Sequence, residues 1–275
     1  MITLNYVVRK HDDISPDDFR NFWLNEHSEK SLQLAGELGI RKYVKCETLF
    51  EDELHKLLVQ IYGTATDGYD FVDQMHINDF ELFKSGLARR EVRNEIIDLH
   101  KSCNSYVNFS RSDYWLSIEI PQVFSRESYV ATDDTNYMKV FYVPQRLPGL
   151  SLAQAQLHWI NCHGTLARQF IKRLPFDKYI QGHRVESKVI DDFKSLLGDE
   201  FENLDTNIGQ AEAWLARSAP DAMNDPEAER MMHMLTEDIE LFVNPGLSHY
   251  LGTREHIILD EPVITEPLPT LFSLD

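Results

Sequence analysis

Two histidines, His27 and His163, each follow a tryptophan (Trp23, Trp159) by four positions, and each is followed by a tyrosine, Tyr43 or Tyr179, that opens a strand-like stretch. A neutral imidazole accepts a proton near pH 7, and a phenol donates a hydrogen bond to a developing enolate or alkoxide. Together they suit proton abstraction next to a carbonyl, enolisation, cyclisation or elimination of water. The same pair suits deprotonating a phenol for direct reaction with oxygen. His183 stands four residues after Tyr179, so on a strand both side chains take one face. If that face looks at the helix, His163, Tyr179 and His183 converge, and the matching trio is His27, Tyr43 and Glu47. The competing reading is packing, because a histidine beside an apolar helix stripe is commonly a buried core residue. The second trio is favoured, since His158 and Arg184 also stand near it.

The elements that must position these residues occur twice. Trp23 and Trp159, His27 and His163, and Tyr43 and Tyr179 are all separated by 136 positions. A long internal repeat outranks any local motif in deciding a fold. In the first copy, residues 2–9 read as a strand, and Ser15-Pro16-Asp17-Asp18 as a capped helix start. Phe19, Trp23, His27 and Leu34 recur at helical spacing, Gly39 stops the helix, and residues 41–49 form the second strand. A short amphipathic piece over 54–61, a strand over 69–77, one long helix over 80–101 and a strand region over 106–120 complete the copy. The second repeats the order: strand 137–143, a helix capped by Ser151, strands 176–185 and 208–215, a helix from Asp225 to about 242, and a strand over 248–259. Each half reads β-α-β-β-α-β, an α+β pattern with an antiparallel sheet. The boundaries are 1–120 and 137–260 for the halves, 121–136 for a linker and 261–275 for an extended tail.

The bulk properties narrow the partners. A net charge of −18 argues against nucleic acid or an anionic membrane as the main partner. Cys46, Cys103 and Cys162 have no metal-ligand spacing and fit a reducing, cytoplasmic setting. No leader peptide and no bilayer-spanning run is read. There is no His-Glu-x-x-His, no paired cysteine and no glycine-rich phosphate loop, so neither metal nor cofactor is expected. His27, Glu47 and His76 are the nearest approach to a ligand set. Trp23, Trp214 and the Met231, Met232, Met234 stripe read as core, and His256 as shaping a sheet end.

The chain resembles two fused EthD-type domains of the dimeric α+β barrel, ferredoxin-like superfamily. The resemblance rests on Ser15-Pro16-Asp17-Asp18-Phe19-Arg20-Asn21-Phe22-Trp23 with His27, on Lys42-Tyr43-Val44, and on Trp159 with His163-Gly164. Ala211-Glu212-Ala213-Trp214-Leu215, Asp225 to Arg230 and Glu255-His256-Ile257-Ile258 extend it over nearly the whole chain. It implies that the two half-sheets pack face to face into an eight-stranded, pseudo-dimeric barrel closed within one chain, which need not dimerise to fold. It also implies a pocket between helices and sheet faced by the His and the Tyr. A lactone-isomerising relative has such a pair, but its reactive Cys has no counterpart here, where Met75 and Ala213 stand nearest. Members span cofactor-free monooxygenases, cyclases, isomerases, haem-handling proteins and proteins without known activity, so fold does not give chemistry. The expectation is a cofactor-independent enzyme for a small apolar or aromatic carbonyl or phenolic compound. Its step is an oxygenation or a dehydration, cyclisation or isomerisation. His163 is the acid or base, Tyr179 the polarising donor and His183 an orienting or second acid group, with His27 and Tyr43 as the other candidate pair. The alternative is a non-catalytic accessory or ligand-binding protein that keeps the pocket.

Overall fold

Strands form where β-branched and aromatic residues concentrate. They are β1 (Ile2–Val8), β2 (Ile40–Thr48), β3 (Phe71–Ile77), β4 (Asp113–Val123), β5 (Tyr137–Val143), β6 (Phe176–Val185), β7 (Gly209–Ala216) and β8 (His249–Asp260). In the computed structural model all eight pair antiparallel and close into one barrel in the order β1-β3-β2-β8-β5-β7-β6-β4. Each half contributes four neighbouring strands, and β2–β8 and β4–β6 form the seams. The barrel closes within one chain. The structure describes residues 1–261 except 66, 124–128, 171–173, 175, 199–200, 203 and 219–224. The expected tail beyond 261 and the middle of the expected linker therefore lie outside the described residues. The first three residues of that linker, Pro121 to Val123, belong to β4.

Helices cover the outside of the barrel: α1 (Pro16–Leu24), α2 (Glu26–Ala35), α3 (Glu53–Tyr62), α4 (Phe80–Ala88), α5 (Arg90–Ser102), α6 (Leu152–His158), α7 (Gly164–Phe170), α8 (Lys188–Leu197) and α9 (Pro226–Ile239). No helix among the described residues is long and apolar enough to cross a membrane. The helix expected over 80–101 is in fact two, broken at Arg89, whose backbone is extended. There the guanidinium hydrogen-bonds the Glu37 carbonyl (2.9 Å) and pairs with the Glu37 carboxylate, anchoring the turn. The strand region expected from 106 begins only at Asp113, because Phe109–Arg111 forms a 3-10 turn.

The halves exchange helices. Leu54, Leu58 and Tyr62 of α3 pack into the core of the second half, while Ile190 and Phe193 of α8, a helix absent from the sequence reading, pack into that of the first. Each helix–sheet core is thus completed by the other half.

The barrel interior carries charge. Lys139 lies over the rings of Trp214 and Phe141 and reaches Glu212 (3.0 Å), Glu255 (3.3 Å) and the side-chain Oε1 of Gln74 (2.7 Å). Gln74 Nε2 donates to Glu212 (2.7 Å), joining the halves across the lumen. Burial works against the Lys139 charge, but Cys46, Glu212 and Glu255 hold its pKa above the ordinary lysine value. Trp214 is buried in the core, as expected, and its indole also donates to Glu255 (3.0 Å).

Candidate functional site

Ser151 starts α6 with a full capping box: its hydroxyl accepts from the Gln154 N–H, and the Gln154 side chain accepts from the Ser151 N–H. The helix then widens. Trp159–His163 forms a π-helical turn, with the Gly164 N–H reaching back to the Trp159 carbonyl. Such turns re-aim side chains and recur at functional sites. The Trp159 carbonyl also accepts from Gln181 Nε2 (3.2 Å), which ties the turn to β6. The first half breaks its helix at the equivalent place. There Asn25 separates α1 from α2, and Ser28 and Lys45 donate to the Trp23 carbonyl.

The two breaks leave their histidines in opposite states. His163 Nδ1 lies 3.0 Å from Asp238 Oδ2, and His158 Nε2 lies 3.0 Å from Asp238 Oδ1. A carboxylate only accepts, so Nδ1 of His163 carries a proton, and in the neutral imidazole Nε2 is the nitrogen with the lone pair. Burial opposes the Asp238 charge, yet the hydrogen bonds from His163 and His158 hold its carboxyl below the usual aspartate range. In the first half the partner of His27 Nδ1 is the Lys45 ammonium at 2.8 Å. An ammonium only donates, so His27 Nδ1 accepts and its proton sits on Nε2. Burial, then Lys45 and Lys30, push the His27 pKa well down. Lys45 itself is lowered to about 8 by burial, against the pull of Asp73. Asp73 accepts from Trp23 Nε1 (3.0 Å) and from the Tyr43 hydroxyl, so the first-half polar groups satisfy one another.

His163 and Tyr179 line one cavity of about 70 Å³ between the second-half helices and sheet. Its other walls are largely apolar, with Val140, Leu235, Ile239, Phe242 and Tyr62 among them. The Tyr179 hydroxyl oxygen accepts from Trp159 Nε1 (3.3 Å) and Gln181 Nε2 (3.2 Å), which leaves its own hydrogen available to donate. Burial pushes the phenol up to about 12, although both donors pull it down, so it stays protonated at neutral pH. Phe242 contacts both His158 and His163, with ring centroids 4.9 and 6.0 Å away.

His183 shares the face of Tyr179, as the strand period requires, but it does not line the cavity. Its Nε2 donates to Gln181 Oε1 (3.1 Å), its ring lies against Trp159, and burial lowers its pKa to about 4. Its link to Tyr179 runs through Gln181. His27 and Tyr43 line a separate first-half cavity of about 70 Å³ with Asp73, Tyr6 and Tyr114. Glu47 faces Arg20, Arg254 and His256 instead, and His76 pairs with Glu119 (3.2 Å). The trio of His27, Glu47 and His76 thus does not converge. Sequence reasoning missed Asp238, Lys45 and Asp73. Their signal was a charge inside an apolar pattern: Asp238 among Leu235, Ile239 and Phe242, Lys45 within Tyr43-Val44-Lys45-Cys46, and Asp73 between Val72 and Met75.

A model of the EthD domain matches residues 11–98, a span that includes Trp23, His27, Tyr43 and Asp73. The matched span lies within the first half. Among solved structures, an anthrone oxidase-like protein is 9% identical over 94% of this chain and 92% of that chain, with a TM-score of 0.52. A candidate monooxygenase from Lactobacillus acidophilus is 9% identical over 94% and 96%, with a TM-score of 0.45. A dye-decolorizing peroxidase from Bacteroides thetaiotaomicron is 9% identical over 92% of each chain, with a TM-score of 0.41. By sequence, no curated protein is matched. The likeness to the first of these structures is one of fold.

Proposed function

We propose that the second-half cavity is the active site of an oxidoreductase-type enzyme that acts on a small apolar carbonyl or phenolic compound without a bound cofactor. The observation that carries this reading is the His163–Asp238 hydrogen bond at the wall of an apolar cavity shared with Tyr179. It supplies a base of fixed tautomer beside a phenol with a free hydrogen. We further read the halves as fused ferredoxin-like copies. Both keep the His–Tyr pair, but only the second leaves its imidazole a free Nε2.

His163 Nε2 takes a proton from the carbon activated by the substrate carbonyl, and Asp238 stabilises the imidazolium through Nδ1–H. The Tyr179 hydroxyl donates to the carbonyl oxygen as it becomes an enolate. The electron-rich carbon then reduces molecular oxygen, forming a carbon–oxygen bond and, with a proton returned from His163, a hydroperoxide. Loss of a second proton from that carbon breaks the O–O bond, releases water and leaves a new carbonyl. An anthrone, a tricyclic ketone with such a carbon, consumes one dioxygen and gives one anthraquinone and one water.

The test is oxygen-dependent conversion of anthrone, followed by quinone absorbance and by deuterium exchange at the activated carbon. The reading expects both from the native chain, and loss of both in His163→Ala. Exchange without oxygen consumption would redirect the assignment to a cyclase or isomerase step. Binding without exchange would favour the accessory, ligand-holding protein.

A further inference from the structure

At the barrel end where β1 and β5 finish and β4 and β8 begin, buried polar atoms stand without partners. Arg9 Nη1, Thr64 Oγ1, Asp113 Oδ2, Gln145 Nε2 and His249 Nδ1 find no hydrogen bond among the described residues. Buried polar atoms in native proteins are nearly always satisfied, so each exception asks for a water, an ion or a ligand. A cluster at one rim asks for a common answer.

Two of these residues, Arg9 and His249, line the same open cleft of about 240 Å³ together with Tyr69, Asp67, Arg111 and Glu202. The other charges there are committed. Arg111 pairs with Asp67 (2.6 Å), and Glu202 accepts from the Tyr69 hydroxyl (3.2 Å). Arg9 makes no ion pair among the described residues, although its main chain is pinned. Its N–H donates to Ser112 Oγ (2.9 Å), and its carbonyl accepts from the Asn108 N–H (2.8 Å). The His249 ring is held against Tyr69, with centroids 4.8 Å apart. Positioned, uncommitted donors of this kind form a preorganised anion site.

We propose that this rim cleft binds a small monocarboxylate, held by the planar fork of Arg9 with His249 as the adjacent ring donor. A guanidinium matches the two coplanar oxygens of a carboxylate. The Asp67 and Glu202 walls disfavour a more highly charged anion such as phosphate. With a net charge of −18 the molecule as a whole repels anions, so saturable binding must come from local geometry. The cleft lies apart from the His163 cavity and shares no lining residue with it.

Calorimetric titration of the full chain with sodium acetate, against sodium chloride at matched ionic strength, tests this directly. Saturable acetate binding is expected, weakened about tenfold or more in Arg9→Gln, less in Arg9→Lys, and measurably in His249→Phe. Circular dichroism confirms that each variant is folded, and if Arg9→Gln is not, Arg9→Lys and His249→Phe carry the test. Acetate heats indistinguishable from chloride would overturn the proposal, as would affinity unchanged in all folded variants or tighter binding of inorganic phosphate. A crystal grown in acetate that shows only waters on Arg9 and His249 would overturn it as well.

Discussion

At His163 what matters is which nitrogen is left over. Its sequence twin, His27, has the same spacing to a tryptophan and a tyrosine but meets an ammonium where His163 meets a carboxylate. Replacing His163 with Ala should lower turnover by ~10²-fold or more, the usual worth of a positioned base. Asp238→Asn should do nearly as much by removing the acceptor that fixes the tautomer, while His27→Gln should leave turnover close to native, all read from steady-state rates. Tyr179→Phe should reduce kcat by ~10-fold or more while the fold persists, since it removes the donor to the enolate. Its stability cost should be only ~1 kcal/mol, from the unpaired Trp159 and Gln181 donors, measured by urea unfolding. The His–Tyr pairing was legible in the sequence because type and spacing are local. The tautomers were not, because Asp238 lies 75 positions from His163 and Lys45 lies 18 from His27, and only the fold brings them together.

On the scale of single elements, the π-helical turn sets the direction of His163 and ties it to β6 through Gln181. Gly164 closes that turn, and a Cβ there would lie 2.8 Å from Gln122 Oε1 and 3.2 Å from Gln181 Nε2. Gly164→Ala should therefore push Gln181 away from Tyr179, lowering kcat several-fold while the far-ultraviolet circular dichroism stays native. Normal kinetics in that variant would show that the Gln181 brace is dispensable. Helix starts were legible at this scale: Ser15, Ser151 and Asp225 all cap as their sequence contexts require. Strands β5 and β6 match the expected 137–143 and 176–185. The breaks at Asn25 and Arg89 were not legible, because they depend on tertiary partners such as Lys45 and Glu37 rather than on glycine or proline. The role of α8 was hidden for a related reason, since its apolar stripe serves the core of the other half.

For the whole molecule, closure of the barrel depends on a charged lumen that composition alone does not reveal. Lys139→Met would leave Glu212 and Glu255 buried with no cation between them, and should cost ~3–5 kcal/mol in denaturant unfolding. Adding Glu212→Gln and Glu255→Gln should recover most of that loss. Acid should also weaken the fold. His183 and His249, both lowered by burial to about 4 from an ordinary 6.5, and His27, also lowered, are neutral when folded. The unfolded chain binds more protons in that window, so their contribution is complete above pH 6.5 and is lost as pH falls toward 4. The melting temperature should decline over that interval, and less steeply in His183→Asn.

The most direct test of the account is nitrogen-15 NMR of the imidazole side chains at neutral pH. The Asp238 contact puts a proton on His163 Nδ1, and the proposed base role expects Nε2 to be bare, with His27 showing the reverse. That pattern would support assigning the base to the second half. A bare Nδ1 on His163, or the same tautomer at both positions, would contradict it.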